Sequence, residues 1–225
     1  MDKKMYEKIE KYMLSCMNDG AHDCQHIYRV LYHALNIAQD YDVDKDVLIA
    51  AALLHDIGRE AQFRDPQADH AAIGAEMAYD FLKKLGWAED KAQHVRACIA
   101  THRFRTESPQ ASIEAKILYD ADKLEAAGLM GIARTLAYKG IVAEPLYIVD
   151  QEGRLLLEDD DNPSFFQEYN FKLKKVYDRF YTDKARIIAE SRRSAAESFF
   201  NSIFDEVAST LNTGVNLLKN ELKDV

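Results

Sequence analysis

The spacing of apolar side chains limits what this chain can fold into more than any other feature. They recur at three and four residues along most of its 225-residue length, the period of a helix buried on one face. Tyr6, Ile9, Met13 and Met17 form one stripe, and Asn18-Asp19-Gly20 ends it with turn residues. Ile27, Val30, Leu31, Ala34, Leu35 and Ala38 form a second, in a helix expected from about His22 to Asp40. Asp44 is a natural N-cap for a third helix ending near Ile57, with Gly58 as its stop. A fourth opens near Asp69, runs through Ile73, Met77, Phe81, Leu82 and Leu85, and stops at Gly86. Trp87 to Thr101 reads as a fifth, and Ser112 to Gly128 as a sixth continuing toward Tyr138. Helical patterning returns from Ser164 to Tyr181. A long last helix follows from Asp183, striped by Ile187, Ile188, Ala195, Phe199, Ile203, Val207 and Leu211. The four prolines and nine glycines fall mostly between these segments, which favours helices over a sandwich or barrel. The expected fold class is all-α, a helical bundle.

One stretch breaks the pattern. Leu146 to Val149 and Leu155 to Leu157 flank Asp150-Gln151-Glu152-Gly153, a short hairpin signal near 146–157. The acidic run Glu158 to Asp161 then ends in Asn162-Pro163, another loop. With no internal repeat and no low-complexity linker, the expected organisation is a single domain over 1–225. Its core spans about 20–140, a hairpin and loop insertion about 141–163, and C-terminal helices over 164–223 pack on that core. The last helix most simply packs back on the bundle; a homodimer surface is the other reading the sequence leaves open.

Bulk properties exclude several partners. A net charge of −9 opposes a phosphate backbone, so bulk nucleic-acid binding is not expected. A small phosphorylated substrate remains compatible, because a metal and a few cations reverse the field inside one pocket. The longest apolar run, Val47 to Leu54, is far shorter than the roughly 20 residues of a membrane span. Cys16, Cys24 and Cys98 show no CxxC spacing and leave an odd one over, which argues against a disulfide framework. The charged start MDKKMYEKIEKY does not read as a signal peptide. A cytoplasmic setting is expected.

The residues of chemical interest are His26, the pair His55-Asp56, and Asp122. Imidazole nitrogen with carboxylate oxygen suits a divalent ion such as Mn, Co, Ni, Fe or Zn, and no partner cysteine points to a structural zinc. Neighbours on a helix point about 100° apart, so His55 and Asp56 meet one ion only at a helix end, which Gly58 provides. Singly these signals are weak: His22-Asp23 shows that the dipeptide also occurs without that context.

Their order and surroundings resemble the HD-domain superfamily of metal-dependent phosphohydrolases, in its compact bacterial and archaeal branch. The pattern there is a His, then His-Asp, then a distant Asp. Here His26 lies in HDCQHIYRV, His55-Asp56 in AALLHDIGRE and Asp122 in YDADKLEAAGLMGIAR. DHAAIGAEMA around His70, THRF around His102 and TDKARIIAESR in the closing helix extend the similarity from about Gly20 to Phe200. The resemblance implies a helical bundle of the HD type with a divalent metal (Mn, Co, Ni, Fe, Zn or Mg) bound by His26, His55, Asp56 and Asp122.

Other residues take roles around that centre. Arg29 shares a helix face with His26; Arg59 and Lys123 adjoin ligands, and all three are candidate clamps for phosphate oxygens. Glu60 is the first candidate for a general acid or base, on the precedent of relatives. His22 and Asp23 are expected among the outer groups that orient histidine ligands. His70 and His102 are read as pocket residues contacting phosphate, with a second metal site as the alternative. The chain lacks the adjacent His-His of one dinuclear branch and the Gly-Tyr-Pro of cyclic-dinucleotide phosphodiesterases. Tyr119, Phe104 and Tyr138 are candidates for stacking on a base. The expected function is hydrolysis of a phosphate or pyrophosphate bond in a small metabolite, a nucleotide by analogy with similar proteins. A non-catalytic, metal-stabilised module binding a nucleotide or partner is the rival, and a di-iron oxygenase the third reading.

Overall fold

A computed structural model of the chain describes residues 1–17, 24–65, 67–103, 111–157 and 163–222. The chain divides into two compact units, one of Met1–Glu125 with Phe180–Arg186, the other of Ala126–Arg179 with Ile187–Val225.

The first unit is built around α3 (Lys45–Leu54), whose Val47, Leu48 and Ala50 to Leu54 are all buried. A helix apolar on every side cannot face water, and α3 packs against α1 (Lys3–Ser15), α2 (Cys24–Ile37), α6 (Glu89–Ala100) and α7 (Ile113–Lys123). The two further helices of this unit, α4 (Arg59–Arg64) and α5 (His70–Lys84), pack on one another, and α5 lies along α6. Local chemistry fixes the starts. Asp44 accepts from the amides of Asp46 and Val47, Asp69 from Ala71 and Ser112 from Ala115, each satisfying donors that a helix leaves open. Gly86, at φ 85°, closes α5, and the Trp87 amide donates back to the Leu82 carbonyl at 3.1 Å.

Several boundaries differ from the sequence reading, two of them next to the residues of chemical interest. Helix α3 ends at Leu54 rather than near Ile57, and a turn over 55–58 leads into the unanticipated α4. Gly58 is there for closeness, not for an unusual backbone angle: its φ is −85°, but a Cβ on it would stand 2.3 Å from the His70 carbonyl oxygen. The sixth helix does not run on toward Tyr138. It ends at Lys123, a 3-10 turn follows over Leu124–Ala126, and Gly128 at φ 80° separates it from α8 (Leu129–Ile141).

The second unit contains α8, a hairpin of β1 (Ile148–Val149) and β2 (Leu155–Leu156), α9 (Phe165–Phe171) and most of α10 (Asp183–Glu221). The strands pair antiparallel, Ile148 with Leu156 and Val149 with Leu155. Asp150 holds their turn by accepting from the Glu152 and Arg154 amides. Its core is aromatic: Phe165, Phe166, Tyr169 and Phe200 are buried, with Tyr169 and Phe200 stacked 3.8 Å apart. The fold is thus all-α apart from the small hairpin. No helix among the described residues is long and apolar enough to cross a membrane.

Candidate metal centre

Four buried imidazoles converge in the first unit. His26 comes from α2, His55 from the end of α3, His70 from the first position of α5 and His102 from just beyond α6. Each ring is held from behind through Nδ1. His55 and His102 donate to the backbone carbonyls of Ala52 and Ile99, at 2.8 and 2.6 Å. His70 donates to Gln62 Oε1 at 2.6 Å, and His26 to Glu125 Oε2 at 3.3 Å. A carbonyl oxygen only accepts, so Nδ1 carries the proton and Nε2 presents its lone pair to the interior.

The Nε2 atoms gather on two carboxylates. Asp56 Oδ2 lies 3.6 Å from His26 Nε2 and 3.5 Å from His55 Nε2. Its other oxygen, Oδ1, lies 3.4 Å from His70 Nε2 and 3.6 Å from His102 Nε2. Asp122 Oδ1 stands 3.2 Å from His26 Nε2 and 3.9 Å from His55 Nε2. The geometry forms two candidate cation sites, His26/His55/Asp56 and Asp56/His70/His102, each with donor atoms within 4.8 Å of one another. Nε2 of His55, of His70 and of His102 is buried without a hydrogen-bond partner among the described residues. Buried polar atoms are rarely left so, and several aimed at one point are what a cation would satisfy.

Charge is balanced locally. Burial works against a charged His26 ring, yet Asp122, Asp56 and Glu125 outweigh it and push its pKa up to about 10. Burial dominates at His55 and pulls it down to about 4. Asp56 is held well below the usual carboxylate range: burial opposes this, but Arg59 and the surrounding histidines win.

The comparisons with known proteins bear on this geometry. A family model described as HD domain matches residues 24–127, the span that carries every donor above. Bacillus subtilis YpgQ is 29% identical over 91% of this chain and 94% of its own. The crystal structure of YpgQ in complex with ADP superposes with a TM-score of 0.71 at 27% identity, covering 90% of this chain and 95% of that one. An HD-superfamily hydrolase from Bacillus thuringiensis gives 0.67 at 28% identity, covering 91% and 97%. Residues 24–127 are an HD domain. Its HD domain is that of a hydrolase family, and its His/Asp clusters are of the kind that hold a divalent metal.

Around this HD domain the other predicted residues separate. Arg59 Nε contacts Asp56 Oδ1 at 2.9 Å, and Arg29 Nε contacts Glu125 Oε2 at 2.7 Å. Lys123 is buried with its ammonium 5.3 Å from the Tyr119 ring centre and 4.7 Å from that of Phe180, so its charge meets aromatic faces. Glu60 is exposed and pairs with Arg64 one turn on; no hydrogen bond or ion pair ties it to the cluster among the described residues. Tyr119 is buried edge-on to Tyr181, whereas Tyr138 is exposed in the second unit. His22, Asp23 and Phe104 lie outside the described residues.

Sequence reasoning missed Glu125, buried against His26 and Arg29. A signal for it existed: a carboxylate three residues after Asp122 sits one turn on and near the same helix face.

Proposed function

We propose that this HD domain hydrolyses a phosphate or pyrophosphate bond of a small phosphorylated metabolite, with a nucleotide as the substrate class. His26, His55, Asp56 and Asp122 would hold one divalent ion. Asp56, His70 and His102 would hold a second, so these two histidines serve as ligands in preference to phosphate contacts. The observation that carries the reading is the set of four imidazoles, each tied at Nδ1 and presenting Nε2 to a shared carboxylate. The nucleotide part is supported by the ADP complex of YpgQ.

A bound divalent ion supplies Lewis-acid polarisation of a phosphoryl oxygen and a nucleophilic water near neutral pH. The chain's own residues do the rest. The buried donors exclude bulk water and keep their orientation without reorganising during reaction. Arg29 and Arg59, partly exposed beside the cluster, would meet phosphate oxygens as planar, permanently charged forks.

The test is a panel of nucleoside mono-, di- and triphosphates and simple phosphate esters, presented to protein stripped of metal and reloaded with Mn, Co, Ni, Mg, Zn or Fe. Release of phosphate or pyrophosphate with at least one nucleotide and one metal is expected. Binding without turnover under every condition would leave the domain a nucleotide-binding module, and turnover needing both iron and oxygen would make it an oxygenase.

A further inference from the structure

Three of the four imidazoles are backed by neutral acceptors: two backbone carbonyls and an amide. His26 alone is backed by a carboxylate. Glu125 is 3% exposed, and the same oxygen, Oε2, lies 3.3 Å from His26 Nδ1 and 2.7 Å from Arg29 Nε. His26 and Arg29 stand one turn apart on α2, while Glu125 sits in the turn directly after α7, three residues beyond Asp122. His33 adds a longer approach, its Nε2 4.0 Å from Oε1. Burying a carboxylate is costly unless charged or hydrogen-bonding partners compensate. Here the partners are a candidate metal ligand and a candidate phosphate clamp.

We propose that Glu125 is a positioning residue that sets His26 and Arg29 together. By accepting from Nδ1 it fixes which ring nitrogen faces the ion, and its negative charge makes that ring a stronger donor than a carbonyl would. By accepting from Nε it fixes the plane of the Arg29 guanidinium. One carboxylate thereby keeps the ion and the anion-binding cation in a constant relation, with α7 and the turn that follows it carrying both Asp122 and Glu125. The proposal rests on the metal-dependent reading above, and it concerns binding, so it is separable from turnover.

The experiment measures Mn²⁺ affinity, and ADP affinity of the Mn²⁺-loaded protein, by calorimetry for the wild type, Glu125→Ala, Glu125→Gln, Arg29→Ala and the Glu125→Ala/Arg29→Ala double variant. Glu125→Ala is expected to weaken Mn²⁺ binding about 10- to 100-fold and to weaken ADP binding. Adding Arg29→Ala to it should cost no further ADP affinity, since both changes act through one guanidinium. Glu125→Gln keeps shape and one acceptor; it should restore the melting temperature but only part of the Mn²⁺ affinity, a split that a purely structural role would not produce. If Glu125→Ala does not fold, the glutamine variant decides alone: wild-type Mn²⁺ affinity in it overturns the proposal. Unchanged affinities in a folded Glu125→Ala overturn it as well. A wild type that binds Mn²⁺ yet hydrolyses nothing fails the hydrolase reading, and the affinity differences then still decide the role of Glu125 by the same criteria. A wild type that binds no Mn²⁺ overturns both.

Discussion

Asp56 faces two ways, and that decides what single substitutions should do. With Oδ2 toward His26 and His55 and Oδ1 toward His70 and His102, it belongs to both candidate sites, whereas His102 belongs to one. His102→Ala is therefore expected to lower the metal content by about one ion per chain in elemental analysis, and Asp56→Ala to abolish it. Equal content in wild type and His102→Ala would restrict the centre to the first site. Charge at His26 adds a pH dependence. Its pKa rises from 6.5 to about 10, so in the metal-free protein the stabilisation from the charged ring is complete below 6.5 and lost as pH climbs through about 10. Ligation needs the neutral ring. Between those limits the ion of the first site must displace the His26 proton, and its affinity should climb with pH by about tenfold per unit. Calorimetry in buffers of different ionisation enthalpy reads this directly; no proton release at pH 7.5 would contradict it. The four candidate ligands of the His, His-Asp, Asp pattern stand out in the sequence through their order and surroundings, and the fold brings their side chains together. Glu125 was not singled out: its place one turn after Asp122 is a signal, but the spacing does not reveal that His26 and Arg29 of α2 face it. Lys123 shows the same limit: adjacency to Asp122 does not reveal that the Tyr119 and Phe180 rings lie beside its ammonium.

Among the elements, starts were far more legible than stops. Asp44, Asp69, Ser112 and Ser164 each announce a helix through a side chain that bonds the next few amides, a contact spanning two or three residues. Gly58 also stood out, but its actual partner is tertiary. Besides its approach to the His70 carbonyl, a Cβ there would stand 2.7 Å from the Gly74 amide nitrogen. The turn carrying His55 and Asp56 thus presses backbone to backbone on the first turns of α5. Gly58→Ala should cost about 1–3 kcal/mol by overpacking and should weaken metal binding through displacement of His70. Gly140→Ala is the control: it lies in α8 with open space around it and should be neutral or stabilise by up to about 1 kcal/mol. Thermal unfolding of both variants, with and without Mn²⁺, separates the two cases. A Gly58→Ala protein as stable as wild type would remove close approach as the reason for this glycine.

For the whole molecule, the first unit is discontinuous in sequence: Met1–Glu125 is completed by Phe180–Arg186. The fastening is Asp120, fully buried, which accepts from the amides of Tyr181 and Thr182 and from the Thr182 hydroxyl at 2.6 to 2.9 Å. We propose that the chain folds as one domain, because the first unit is not finished until the chain has passed through the second. A chain ended after Arg179 keeps His26, His55, Asp56, His70, His102 and Asp122 but leaves Asp120 buried without those donors. It is expected to melt well below the full chain and to bind Mn²⁺ more weakly; identical melting and affinity would show two independent domains. Apart from α4, apolar periodicity foretold the helices of both units, but nothing in it pairs Asp120 with Thr182, since a contact between distant segments leaves no local trace.

That fastening also sets a clock during biosynthesis. Thr182 lies 62 residues after Asp120, so at about 5–20 residues per second a ribosome needs roughly 3–12 s to make the strap after it has made its anchor. Until the strap emerges, the candidate ligands that have already left the ribosome would stand in an unfinished pocket, open to whichever cation the surroundings offer. Stalled nascent chains should resist limited proteolysis only once residue 186 has cleared the exit tunnel, and protection arising earlier would remove the delay. Ion selection in such a protein would then be a matter of timing as much as of coordination chemistry.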